Sequence, residues 1–181
     1  MAESPAAKRY AQALFELGIE HDQLEPLGDA LSDAATLFAD SAQLRNVLTN
    51  PAVELNERRD VIEALVDKAG WPRLFRNFML LLIDRDRIRH IEAIADEYAR
   101  RTDDHLGRAR ASVTSATELS DDQIKSLQSR LGELVGKDVI MTTEVDESLI
   151  GGVVARVGGT IYDGSVRNHL QRMRDAILRE V

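Results

Sequence analysis

The feature that most constrains this chain is a change of period at Gly107. From Ser4 to that glycine, apolar residues recur at spacings of three and four, the signature of helices burying one face. Beyond it the glycines cluster and short alternating stretches appear. One chain therefore carries two kinds of architecture in succession.

The first stretch divides at its capping signals. Ser4 caps a first helix with Pro5 at its first position, where the missing N–H costs nothing. His21 or Asp22 breaks the chain before a second helix carrying Leu24, Leu27, Leu31, Ala34 and Phe38. Ser41 caps a short third helix that Asn50-Pro51 ends. Asn56 is the expected cap of a fourth, with Val61, Ile62, Leu65 and Val66, closed by Gly70. A fifth begins near Pro72 and a sixth near Arg87, the latter carrying Ile88, Ile91, Ala95 and Tyr98. Six helices with short connections predict a bundle over residues 1–106.

Residues 107–181 read as a small mixed α/β domain, which makes the whole chain α+β. Arg108–Thr114 and Val139–Val145 are expected strands. Between them Ser120 and Gln123 form a capping box for a helix with Ile124, Leu127, Leu131 and Leu134 on one face. Gly151-Gly152 and Gly158-Gly159 bracket a third strand, Val153–Val157, and Thr160–Tyr162 offers a fourth that turns at Asp163-Gly164. A last helix carries Val166, Leu170, Met173 and Ile177.

Composition excludes several function classes. The 181 residues hold 31 acidic and 23 basic side chains, a net charge of −8, which is the wrong field for a general nucleic-acid binder. The acidity sits on the helical part: twenty acidic against thirteen basic residues up to position 106, eleven against ten after it. With no cysteine there is no disulfide, thiol catalysis or thiolate-bound metal. The longest apolar run, Phe78–Ile83, is far below the roughly 20 residues that span a bilayer, so a soluble chain is expected.

The chemical inventory is poor. His21, His90, His105 and His169 share no metal-ligand spacing, and no Gly-x-Ser-x-Gly elbow exists. The paired acids Asp121-Asp122 fall in a helix first turn, where the dipole favours them. The segment Gly151–Gly159 lacks the Gly-Lys-Ser/Thr ending of a phosphate loop, and its glycines flank a strand rather than open a helix. A hairpin is the preferred reading; a small-molecule enzyme using this segment is the rival. Arg85-Asp86-Arg87-Ile88-Arg89 is a solvated helix junction or, alternatively, a surface for an anionic partner. No catalytic residue, metal or cofactor is assigned.

Apolar breadth is what remains. At about 100° per residue, Ala6, Ala7, Tyr10, Ala11, Ala13, Leu14, Leu17 and Gly18 share one arc of helix one, which Phe15 widens to about 200°. Helix five, with Leu74, Phe75, Phe78, Met79, Leu81, Leu82 and Ile83, is equally over-apolar. Either one of these helices is central and fully buried, or part of this surface is a groove for a partner's amphipathic helix.

Two stretches carry a family resemblance. One is Ala7-Lys8-Arg9-Tyr10-Ala11-Gln12-Ala13-Leu14-Phe15-Glu16-Leu17. The other is Val145-Asp146-Glu147-Ser148-Leu149-Ile150-Gly151-Gly152-Val153-Val154-Ala155-Arg156-Val157-Gly158, followed by Tyr162-Asp163-Gly164-Ser165-Val166 and Leu170. Over essentially its whole length the chain resembles the delta subunits of F-type ATP synthases, related to the mitochondrial oligomycin-sensitivity-conferring protein. It departs at Ala155, where a larger aliphatic residue is usual, and at Asp84–Arg87, where a turn containing asparagine or glycine is expected. The resemblance implies a non-catalytic stator subunit on the cytoplasmic face of a bacterial membrane, coupling rotation to proton transport and ATP synthesis. It implies that helices one and five receive the N-terminal helix of an alpha subunit, through Tyr10, Ala11, Leu14, Phe15, Gly18, Phe75, Phe78, Met79 and Leu82. It further implies that the C-terminal domain meets the b subunits of the peripheral stalk, with Gly151, Gly152, Arg156, Asp163, Gly164 and Ser165 forming a structural turn motif. With Leu14 facing the partner, Leu14→Asp is expected to leave the isolated fold intact. The rivals are the enzyme above and a free-standing adaptor.

Overall fold

The computed structural model describes the backbone of residues 4–179 and the side chains of residues 4–174. The side chain of Ile177, assigned above to the last helix's apolar face, lies outside the described residues. The chain divides into two compact units, Met1–Thr102 and Asp103–Val181.

The first unit is built from α1 (Pro5–Glu20), α2 (Leu24–Asp40), α3 (Ala42–Thr49), α4 (Leu55–Ala69), α5 (Arg73–Asp84), a 3-10 turn (Ile88–His90) and α6, which runs from Ile91 to His105, past the division between the units. Ser4 and Ser41 cap α1 and α3 by accepting from the amides of Ala7 and Leu44. Gly70 closes α4 in the left-handed region at φ +68°. The cap expected at Asn56 is not there. α4 starts two residues earlier than that cap implies, because the Glu54 carbonyl already accepts the Arg58 amide, while Asn50 ties up the preceding turn by accepting from Ala52. Nor does the sixth helix start at Arg87; a 3-10 turn intervenes.

Two other reversals use aspartate where glycine is commoner. Asp22 and Asp86 both sit at φ +52°. Behind them the Gln23 amide reaches the Gly18 carbonyl at 2.8 Å, and the Arg87 amide reaches Leu82 at 2.7 Å. This is the Schellman closure, which Asp tolerates because, like Asn, it visits the left-handed region more readily than most side chains. Asp86 thus does the work of the glycine or asparagine that the family resemblance led one to expect at Asp84–Arg87.

Tyr98 of α6 knits three helices together. It is almost fully buried and donates its hydroxyl to the Leu24 carbonyl at 2.8 Å. Its ring meets Phe15 edge to face at 6.3 Å. A Cβ at Gly18 would lie 3.0 Å from its oxygen, and one at Gly28 would lie 3.3 Å from its ring. The ring fits because those two positions carry no side chain.

The second unit is a four-stranded mixed sheet with α7 (Asp121–Val135) on one face. Strands β1 (Arg108–Ser115), β2 (Asp138–Val145), β3 (Val153–Val157) and β4 (Thr160–Asp163) are ordered β2-β1-β3-β4. β1 and β2 are parallel and joined through α7; β1 with β3 and β3 with β4 are antiparallel. Ala111, Val113, Val139, Ala155 and Val157 meet Leu131 in the core. Leu127 and Val135 pack against it, whereas Leu134, expected on that face, is exposed. Ala155 is paired between Val113 and Tyr162 on this face, so the small residue is buried in the middle of the sheet. The Ser120–Gln123 capping box is formed in both directions. A second 3-10 turn (Glu147–Leu149) precedes β3, and α8 (Val166–Arg179) ends the described chain. Among the described residues no helix is long and apolar enough to cross a membrane.

Burial pushes the Tyr98 hydroxyl up to about 12, so the folded state prefers the neutral phenol. Its stabilising effect is complete below the ordinary value near 10 and is lost as pH rises towards 12. Denaturant titrations should show this loss in the natural chain and not in Tyr98→Phe.

Candidate functional site

The expected partner surface is largely a core. Of the nine residues assigned to it, Ala11, Leu14, Gly18, Phe75, Phe78, Met79 and Leu82 are buried in the first unit. Leu14 is 0% exposed, so the expectation that Leu14→Asp leaves the fold intact is overturned. A carboxylate there would be desolvated among hydrocarbon. Gly18 has its own reason to be buried, the Tyr98 ring described above. Tyr10 and Phe15 alone of the nine are half-buried.

The wheel explains both the error and what survives it. Along α1, Ala7, Ala11, Leu14 and Gly18 fall within an arc of about 60°, and that arc is the buried one. Ala6, Tyr10, Ala13 and Leu17 occupy a second arc of about 60° beside it. These are apolar yet half-buried or exposed, Leu17 at 37%. Phe15 lies on the opposite flank, against Tyr98. Along α5, Phe75, Met79, Leu82 and Ile83 centre the core, with Phe78 at its border. Leu74 and Leu81 extend the apolar surface past Phe78, Leu81 being 43% exposed. Tyr10 and Phe78 meet edge to face at 6.5 Å, so the two apolar flanks converge on each other. Trp71 packs edge-on against Phe75 at 5.2 Å beneath them. The candidate site is therefore a strip of Tyr10, Ala13, Leu17, Leu74 and Leu81 over a Phe75–Phe78 floor. Leu17, Leu74 and Leu81 were visible as breadth in the sequence; their angular offset from the core centre is the signal that separates them.

The Arg85–Arg89 junction is folded back on its own chain. Asp84 accepts two hydrogen bonds from Arg59, at 2.9 and 2.7 Å, and Asp86 pairs with Arg89 at 2.7 Å and faces Arg58 at 3.9 Å. The Arg59 hydrogen bonds hold the Asp84 carboxyl below its ordinary range. As exposed pairs they fix geometry more than they add stability. This clasp joins α4 to the α5–α6 turn.

In the second unit the glycine motif is a junction of chain segments. Gly152, at φ +82°, passes so close to Gly164 that a Cβ would lie 2.3 Å from the Gly164 oxygen. Gly151 accepts from the Val166 amide at 3.0 Å and Val153 from Gly164 at 2.9 Å. Asp163 accepts from the Ser165 amide, and hydrogen bonding from the Ser165 side chain and then its backbone holds the carboxyl below the usual range. Buried Ser165 accepts from the Asn168 amide and so caps α8. The four residues Gly151, Gly152, Gly164 and Ser165 meet at this crossing. Arg156 does not: it points from the open face of β3, in register with Ser112 and Ile161. Glycine at 158, φ +57°, turns β3 into β4 as a hairpin. Among the described residues no group of three His, Cys, Asp or Glu side chains is disposed to hold a metal ion.

Comparison with known proteins gives one consistent result. The family model described as ATP synthase delta (OSCP) subunit matches residues 6–177. An ATP synthase subunit delta from Anaeromyxobacter dehalogenans (strain 2CP-1 / ATCC BAA-258) is 39% identical over 171 residues, covering 94% of this chain and 96% of the relative. The subunit delta of Desulfatibacillum aliphaticivorans is 37% identical over 173 residues, covering 96% and 94%. A chain in the cryo-EM structure of the Toxoplasma gondii mitochondrial ATP synthase hexamer shares the fold. Its TM-score is 0.70 at 23% identity, over 97% of this chain and 98% of that one.

Two substitutions separate floor from rim. Leu14→Ala should cost about 2–5 kcal/mol in chemical denaturation, whereas Leu17→Asp should change stability by less than about 1 kcal/mol. Gly152→Ala should be more damaging than a surface glycine change, with the loss read as a lowered melting temperature, because the new methyl collides with fixed backbone.

Proposed function

The chain belongs to the ATP synthase delta (OSCP) subunit family, and from that membership we propose that it is a non-catalytic stator subunit of a bacterial ATP synthase. In this reading the helical domain, residues 1–106 as a six-helix bundle, sits on the catalytic head. The C-terminal domain, residues 107–181, meets the b subunits of the peripheral stalk. The protein reaches the cytoplasmic face of the membrane only through the complex.

The observation that carries the first half is the convergence of apolar flanks at Tyr10 and Phe78. An amphipathic helix laid along the strip would bury Leu17, Leu74 and Leu81 over the buried Phe75 and Phe78 rings. The occupant is the N-terminal helix of an alpha subunit. Rotation of the central shaft drags on the head, and a static link must resist that torque without dissociating during turnover. Packed aliphatic and aromatic anchors supply slow dissociation, which is where most affinity tuning resides. The floor matters as much as the rim, because a rigid site loses little freedom on binding.

The acidity of the helical part has a separate role. Its excess of seven carboxylates favours encounter with a basic face on the alpha helix, so association should slow as salt rises while dissociation changes little.

The test is titration of the purified chain with a peptide from the alpha N-terminus, followed by Trp71 fluorescence and calorimetry. Leu17→Asp and Leu81→Asp should keep the wild-type circular dichroism spectrum and weaken binding at least tenfold each. Loss of folding in both variants, or unchanged affinity, would remove the strip as the docking site.

A further inference from the structure

The turn that ends α5 is positive, although the helical part as a whole is acidic. Residues 84–90 hold three arginines, two aspartates and His90, and α4 brings Arg58 and Arg59 against them. Both carboxylates are taken, Asp84 by the two bonds from Arg59 and Asp86 by Arg89, with Arg58 facing it. Arg85 adds only its field to Asp84 and, among the described residues, makes no hydrogen bond or ion pair through its side chain. Nor does the reversal need it, since Asp86 supplies the positive φ.

Arg85 stands at the end of the candidate strip. At about 100° per residue, Leu74, Leu81 and Arg85 fall within an arc of about 40° on α5, whereas Asp84 is turned about 80° from the middle of that arc. Arg85 is exposed and lies one turn beyond Leu81, about 6 Å along the axis. The start of α1 lies at this same end, because Ser4, Ala7 and Lys8 line one cleft with Arg89 and His90. There the exposed Arg9 borders the side of α1 that carries Ala6, Tyr10 and Ala13. The acids on that border, Glu16 and Glu20, come two and three turns later, towards the far end, where Arg73 begins α5. The strip is apolar along its length and basic at one end.

We infer that Arg85 sets the register of the docked helix by pairing with one of its aspartates or glutamates, at the end of the helix's apolar stripe that lies over the C-terminus of α5. The inference rests on the reading that the strip receives the N-terminal helix of an alpha subunit. Leu74 and Leu81 present the same hydrocarbon two turns apart, so apolar contact alone discriminates poorly between positions of a sliding helix. A single cation at one end discriminates well, because a docked helix removes water from beside the guanidinium, favouring an opposite charge there and penalising a like one. The planar fork of arginine suits a carboxylate in particular. The acidity of the helical part still attracts a basic face, while Arg85 and Arg9 invert the preferred sign at one place.

The experiment is calorimetric titration of the full chain with the alpha N-terminal peptide of the same organism, amidated at its C-terminus. The same peptide is also titrated with each of its acids changed in turn to lysine. Arg85→Glu should weaken the natural peptide by about tenfold or more, and Arg85→Ala by about threefold, with circular dichroism spectra unchanged. One lysine peptide, and only one, should bind Arg85→Glu better than the natural peptide does. If Leu81→Asp abolishes binding while both Arg85 variants bind like the natural chain, the pairing is overturned and the strip reading stands. If the Arg85 variants bind weakly but no lysine peptide recovers affinity, the arginine meets the terminal carbonyls of the helix instead, and the carboxylate pairing is overturned. A lowered melting temperature in Arg85→Ala with unchanged affinity makes the residue a cap of α5 and overturns it too. A natural chain that binds no peptide overturns the strip reading itself.

Discussion

The helical unit depends on the insertion of the Tyr98 ring between α1 and α2. One side chain from α6 fills the space left by two glycines, one on each neighbouring helix, and its hydroxyl satisfies a carbonyl at the start of α2. This contact decides which side of α1 faces inward. With Gly18 turned to the ring, Ala7, Ala11 and Leu14 follow it into the core. The remaining apolar residues of α1 are then displaced to a flank. The candidate partner strip is a consequence of where one aromatic residue seats.

That dependence shows why the fold was more legible than the site. Capping is local chemistry, so Ser4, Ser41, Gly70 and the Ser120–Gln123 pair announced their helices within three or four residues. Asn56 misled because Glu54, without any side-chain cap, starts α4 through its carbonyl alone. The apolar breadth of α1 and α5 was equally legible. Its division into floor and rim was not, since that is set by Tyr98, some eighty residues from Gly18 in sequence. Leu14 and Leu17 look alike in the sequence and differ only by their angle to a distant ring.

Both units place rigid backbone under apolar surface. In the first, aromatic contacts run from Tyr10 of the strip through Phe78 and Phe75 to Trp71. In the second, hydrogen bonds around Gly152 and Ser165 hold the start of α8 and the loop before β3 together. Such surfaces suit a part that transmits force. Compliance at a contact would store rotation as deformation, whereas a close-packed floor of low compressibility passes it on.

The parallel pairing of β1 with β2 also orders the events by which this protein is made. The helices of the first unit pack mainly with near neighbours in sequence, contacts that close quickly. The sheet of the second unit has no such shortcut. β1 must wait for α7 and then β2, and its other edge for β3, which ends at Val157. On a ribosome, the helical unit therefore gains its full set of partners while β1 still lacks both neighbours. The slow, edge-exposed stage of folding falls on the C-terminal unit.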